Sequence, residues 1–233
     1  MKNIGIILAG GSGKRIGGKV AKQYIEIGGK PLIYYSLKTF QESFIDEIVL
    51  VVRKGDEEYV RDDIVAKYGF NKVAAIVAGG AERYHSVAAG LEACSDDCDY
   101  VFIHDGARAF VTQQVLFDSL EAVKAYKAAV SAVPAKDTVK IANKDGFVEN
   151  TPDRNSVYIM QTPQAFDFHC IQECYRRLIE QEDVLIAAGV KITDDAMVME
   201  YFGDKKIFLS RGDYRNIKVT TPEDVEIASL YLG

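Results

Sequence analysis

Five short apolar runs punctuate the chain, at residues 4–9, 47–53, 72–78, 100–104 and 128–133. Each has the length of a buried strand rather than of a helix. Between them apolar positions recur every three or four residues, as in "PLIYYSLKTFQES", where Pro31 suits a first helical position. The stretches "EEYVRDDIVAKYG", "HSVAAGLEAC" and "TQQVLFDSLEAVKAY" carry the same helical pattern. Strands alternating with amphipathic helices predict an α/β fold, a Rossmann-like doubly wound and mostly parallel sheet covered on both faces.

The alternation breaks after Pro134. "KDTVKIANKDGFVENTPDRN" reads as two β segments about an Asn-Lys-Asp-Gly turn, polar on both sides. Such a hairpin has little to bury in its own domain. Residues 135–160 are therefore expected to project as an arm from one domain spanning 1–233, and to pack on a second copy of the chain. No internal repeat or low-complexity tract interrupts the pattern.

Composition narrows the function. The 233 residues are 48% hydrophobic with a formal net charge of -6, so nucleic acid is not an expected partner. The opening apolar run is too short for a secretory segment and no stretch is long enough to span a bilayer, so a cytoplasmic location and no membrane partner are expected. Four cysteines form two CxxxC pairs, Cys94/Cys98 and Cys170/Cys174. Spacing of four repeats one helix face, so buried reduced thiols are expected rather than a zinc knuckle.

Against that acidic background, "ILAGGSGKRIGGKVAKQY" (7–24) gathers Lys14, Arg15, Lys19 and Lys22 beside a glycine-rich turn. Glycine amides beyond a strand's carboxyl end can approach an anion without Cβ obstruction. A Walker A loop fails twice, at Leu8 and Arg15. The dinucleotide fingerprint finds Ile16 at its third glycine and no acidic residue closing the next strand, which ends Val52-Arg53. The loop instead resembles the L-A-[GA]-G-x-G-x-R-[MLI] loop of nucleotidyltransferases that join an NTP to a phosphorylated sugar or polyol. Glycines would wrap the triphosphate, Arg15 would fork onto its oxygens and Lys22 would add a mobile charge.

Further stretches follow in order: "AKQY", "GGAERYHSVAAGL", "HDGARAFV", "KDTVK", "PDRNSVYIMQTPQAF", "TDDAMVMEYFG" and "NIKVTTPEDVEIA". Together they resemble the 2-C-methyl-D-erythritol 4-phosphate cytidylyltransferase family over nearly the whole chain. Ribitol-5-phosphate cytidylyltransferases share much of the set, and a nucleotide-binding protein without catalysis is the non-enzymatic alternative. The resemblance implies CTP and a polyol phosphate as substrates, Mg²⁺ as cofactor and a homodimer. It implies that Arg15, Lys22, Arg154 and Lys218 carry catalysis. Ala9, Gly10, Gly11, Ser12, Gly13, Gly80, Ala81 and Ser86 would bind the nucleotide, with Arg83 supporting that loop. Asp105 would serve substrate and metal, and Arg108, Thr138 and Thr162 the polyol.

The chain departs from the family pattern at two prolines, replaced by Ala21 and Ala109, which is expected to loosen the loops there. His104 lies on an apolar strand and is expected to be a packed core residue, while His85 and His169 look peripheral. Asp194 and Asp195 are expected to open a helix as a cap rather than bind metal.

Overall fold

The computed structural model describes residues 1–11 and 21–232. Its strands are β1 Asn3–Ala9, β2 Glu26–Ile27, β3 Lys30–Pro31, β4 Glu47–Val52, β5 Val73–Ala78, β6 Tyr100–Asp105, β7 Ala128–Pro134, β8 Ile141–Ala142, β9 Val148–Asn150, β10 Tyr158–Asp167 and β11 Phe208–Arg211. Its helices are α1 Leu32–Gln41, α2 Glu57–Tyr59, α3 Arg83–Glu92, α4 Gln113–Tyr126, α5 Phe168–Glu180, α6 Glu182–Ala187, α7 Asp195–Phe202 and α8 Pro222–Leu232. Pro31 precedes α1 instead of opening it, so the helix starts one residue later than the sequence suggests. The expected helix after Asp56 forms, but its middle winds wide as a π-helical stretch, Val60–Ala66.

β1 shows why the sheet is covered on both sides. Its alternate residues Ile4 and Ile6 join the apolar cluster of α3, α5 and α7, while Ile7 and Ala9 join that of α1 and α4. All four are buried, as a central strand requires. Seven strands form the sheet in the order β11-β7-β10-β6-β1-β4-β5. β10 alone runs antiparallel to its neighbours, β6 and β7, so the sheet is doubly wound and mostly parallel. The winding reverses at β1, which pairs with β4 on one side and β6 on the other. In open α/β sheets ligands bind at such a switch point, outside the strands' carboxyl ends.

β8 and β9 form a separate hairpin about a turn closed from Gly146 N–H to Asn143 O at 3.1 Å, with Gly146 at φ +88°. Its apolar residues face solvent, with Phe147 72% and Val148 59% exposed. The four cysteines are unbridged; Cys94, Cys98 and Cys174 are buried, and burial pushes the Cys94 thiol up to about 12. Among the described residues no helix is long and apolar enough to cross a membrane.

Candidate active site

A cleft of about 400 Å³ opens at the carboxyl ends of β1 and β6. Ala9, Gly10 and Gly11 form one wall, with Lys22 beside them; Gly80, Ala81 and Ser86 form another, and Asp105 and Lys218 lie on its floor. A second cleft of about 300 Å³ holds Arg108, Thr162 and Asp194, and shares Arg83, Asp105 and Lys218 with the first. The three shared residues put a charged boundary between two adjoining anion-sized spaces.

The Gly80 wall is built by close approach. A Cβ on Gly80 would lie 2.3 Å from His85 Cβ, and one on Gly79 would lie 2.6 Å from Ser86 Oγ. Only glycine lets this loop fold back on the first turn of α3. Gly80 N–H donates to Ser86 Oγ at 3.2 Å, and Ser86 Oγ donates to Glu82 O at 3.3 Å. Glu82 N–H donates to His85 Nδ1 at 3.2 Å as part of a reciprocal cap, leaving Nε2–H to reach Glu182 at 3.0 Å. His85, peripheral from sequence, therefore fixes the helix that carries the loop.

Asp105 ends β6, where the chain leaves the sheet. Lys218 Nζ lies 2.6 Å from its Oδ2, and Arg83 Nε 3.4 Å from its Oδ1. Burial alone would raise the Asp105 carboxyl. Arg83, Lys218 and Arg108 outweigh it and hold the group well below the ordinary carboxylate range, so it stays ionised. Arg83 itself forks onto Asp195, Nη1 to Oδ1 and Nη2 to Oδ2 both at 2.8 Å. Burial would lower the Arg83 guanidinium, but Asp195 and Asp105 raise it.

Behind the floor runs a directed hydrogen-bond chain. Arg108 O can only accept, so His104 Nε2–H donates to it at 3.1 Å. His104 Nδ1 then accepts from the Thr162 hydroxyl at 2.9 Å, whose oxygen accepts from Asp105 N–H at 3.1 Å. Burial depresses the fully buried His104 imidazole to about 4, which keeps it neutral. His104 is the packed histidine its strand suggests, and through Thr162 it also ties β6 to β10. Thr162 sits within the register shift of β10 against β7 between Met160 and Gln164. Arg108 is capped by two carbonyls, Asn216 O at 2.8 Å and Met160 O at 3.3 Å.

Asp194 is the cap of α7, its Oδ1 accepting from Met197 N–H at 2.9 Å. Asp195, read with it as part of the cap, is instead the buried partner of Arg83, a role carried by no sequence motif. Ala21 keeps φ at -62°, the value proline would impose, so its turn retains the geometry that the missing ring would have fixed. Ala109 is buried in the small apolar cluster with Leu32 and Val219. Arg154 and Thr138 are exposed and line neither cleft; Arg154 Nη1 donates to Lys136 O at 3.4 Å. Ser12, Gly13 and Arg15 lie outside the described residues.

The family model of 2-C-methyl-D-erythritol 4-phosphate cytidylyltransferase matches residues 4–233. The enzyme of that name from Lachnospira eligens is 48% identical over 231 residues, covering 99% of both chains. Its counterpart from Clostridium perfringens is 43% identical over 232 residues, again 99% of both. The solved 4-diphosphocytidyl-2C-methyl-D-erythritol synthase of Anaerococcus prevotii aligns at a TM-score of 0.84 and 38% identity, over 99% of this chain and 96% of that one. The Francisella tularensis 2-C-methyl-D-erythritol 4-phosphate cytidylyltransferase aligns at 0.77 and 26%, over 99% of each chain. The doubly wound sheet, the switch-point cleft and the likeness along the whole chain agree: this chain belongs to the 2-C-methyl-D-erythritol 4-phosphate cytidylyltransferase family.

Proposed function

We propose that this chain transfers a cytidylyl group from CTP to 2-C-methyl-D-erythritol 4-phosphate, an early step of the non-mevalonate isoprenoid pathway. An oxygen of the polyol phosphate bonds to the α-phosphorus of CTP, while the bond from that phosphorus to the β-phosphate oxygen breaks. Its electron pair leaves with pyrophosphate. Both reactants are anions, so the protein's task is to hold them in line and offset their charge. The observation that carries this reading is the cleft itself, which Lys22 lines and in which Arg83 and Lys218 flank the buried Asp105 carboxylate at the switch point.

The residues divide between the two spaces. Ala9, Gly10, Gly11, Gly80, Ala81 and Ser86 would cradle the nucleotide, with Ser12, Gly13 and Arg15 continuing that loop. Backbone groups at so close a wall suit a pyrimidine and exclude a purine by size. Lys22 and Arg15 would neutralise the triphosphate, and Lys218 the attacking phosphate. Arg108 and Thr162 border the polyol space.

A divalent cation, Mg²⁺, fits the donor set. Among the described residues no group of three or more His, Cys, Asp or Glu could cage a metal. Mg²⁺ does not need one, since it commonly takes one or two carboxylates together with substrate phosphates. Asp105, held ionised, would provide that carboxylate. Bound there, the cation would offset charge on the phosphates.

Arg154 and Thr138 need a second chain. The arm that carries the β8–β9 hairpin exposes Ile141, Phe147 and Val148, an apolar surface open to solvent among the described residues. We place it against a second copy, so that each arm brings Arg154 and Thr138 to its partner's cleft in a cytoplasmic homodimer.

Pyrophosphate release from CTP with Mg²⁺ tests the reading, with 2-C-methyl-D-erythritol 4-phosphate, ribitol 5-phosphate and glycerol 3-phosphate compared. Release with the first should exceed the others at least about tenfold. Faster release with ribitol 5-phosphate would move the assignment to a surface-polymer enzyme. CTP binding with no turnover on any of the three would make the chain a nucleotide-binding protein only.

A further inference from the structure

We infer that Asp195 is a positioning residue: it keeps Arg83 from closing on Asp105 and so leaves Asp105 Oδ1, held only by the long Arg83 Nε contact, open to a divalent cation. The inference rests on the function proposed above. Asp195 is fully buried and is the first residue of α7, where the helix dipole favours a negative charge. Both its oxygens are spent on the Arg83 fork at 2.8 Å, and Tyr175 Oη donates to Oδ1 at 2.5 Å.

The platform beneath it is fixed. Gln164 Nε2–H donates to Asp194 Oδ2 at 3.0 Å, and Gln164 Oε1 accepts from Ala196 N–H at 2.8 Å. One glutamine on β10 thus bolts the first turn of α7 to the sheet. A chain of contacts then runs from α5 through α7 and α3 to the floor of the cleft.

Geometry decides what this does. With Nη1 and Nη2 committed to Asp195, Arg83 offers Asp105 only Nε, at 3.4 Å. Asp105 keeps one close partner, Lys218 at 2.6 Å. Were the charge at 195 removed, the nearest remaining carboxylate to a partly buried guanidinium would be Asp105. A guanidinium prefers a forked pair with a carboxylate, so Arg83 would swing onto it. Asp105 Oδ1 would then be taken up by the Arg83 fork and Oδ2 by Lys218, with no oxygen left for a metal ion.

The test reads metal binding directly. Mn²⁺ and CTP are titrated onto the protein without a polyol phosphate, and enhancement of water-proton relaxation separates the protein complex from free Mn²⁺–CTP. Asp195→Asn should weaken binding of Mn²⁺–CTP by about tenfold or more, and the double variant Arg83→Gln/Asp195→Asn should bind more tightly than Asp195→Asn alone. A residue that merely shaped the fold, or that aimed Arg83 at the nucleotide, would show no such rescue. Unchanged affinity in Asp195→Asn, or a double variant no better than the single one, overturns the inference. If Asp195→Asn does not fold, Tyr175→Phe takes its place, with a loss of a few fold expected and wild-type affinity contradicting the inference. No Mn²⁺–CTP complex with the wild-type protein would overturn the reading of the site and this inference together; a normal wild-type complex with unaffected variants would overturn this inference alone.

Discussion

Lys22 lies on the wall of the cleft proposed to hold the nucleotide, one residue beyond Ala21 and beside the glycines that follow β1. A preorganised cation acting on developing charge contributes about 2–4 kcal/mol to the transition state. Lys22→Ala is therefore expected to lower turnover at least about a hundredfold while leaving the melting temperature nearly unchanged; parallel loss of both would make Lys22 structural. His104 carries the opposite kind of prediction, one of stability and not of rate. Its folded value of about 4 lies below the ordinary histidine value, so between those two values the unfolded chain binds the extra proton. Its contribution is fully present above about pH 6.5 and is lost as pH falls toward about 4, on the order of 3 kcal/mol in all. Urea unfolding from pH 6.5 to 4.5 should show this loss, and His104→Gln should flatten the slope in that window. An equal slope in the variant would assign the pH dependence elsewhere.

At the scale of elements, the turn from β5 into α3 is the tightest piece of the site. A methyl on Gly80 meets His85 at its Cβ, not at a flexible tip, so the loop itself must shift. Gly80→Ala should raise the KM for CTP at least about tenfold with a smaller effect on kcat, because overpacking at a backbone position displaces what it carries; an unchanged KM would remove this loop from the nucleotide site. The strands that host the cleft were legible in sequence because each is buried on both faces and so reads as a short, predominantly apolar run. β10 was not. Its ten residues include Gln161, Thr162 and Gln164, polar side chains satisfied inside the protein by Asp213 O, Asp105 N–H and Ala196 N–H, so they break the apolar pattern without leaving the core. β11 is a short edge strand with three of its four residues exposed, and edge strands carry little hydrophobic signal. Asp195 escaped for a related reason: an acidic residue at a helix start has a sufficient local explanation as part of a cap, and only the fold brings Arg83 to it from 112 residues away.

For the whole molecule, the described chain brings Lys22, Arg83, Asp105, Arg108 and Lys218 to two adjoining clefts, and leaves Arg154 and Thr138 on the exposed arm. In a twofold dimer each arm meets the same surface on its partner, so one complete site would draw Lys22 and Lys218 from one chain and Arg154 from the other. The most direct measurement mixes two inactive variants, Lys22→Ala and Arg154→Ala, after reversible dissociation, and follows pyrophosphate release from CTP and 2-C-methyl-D-erythritol 4-phosphate. Random pairing makes half the dimers mixed, each with one site of intact residues, so roughly a quarter of the wild-type rate should return. A mixture no more active than its separate components would contradict a cytidylyl-transfer site assembled from both chains.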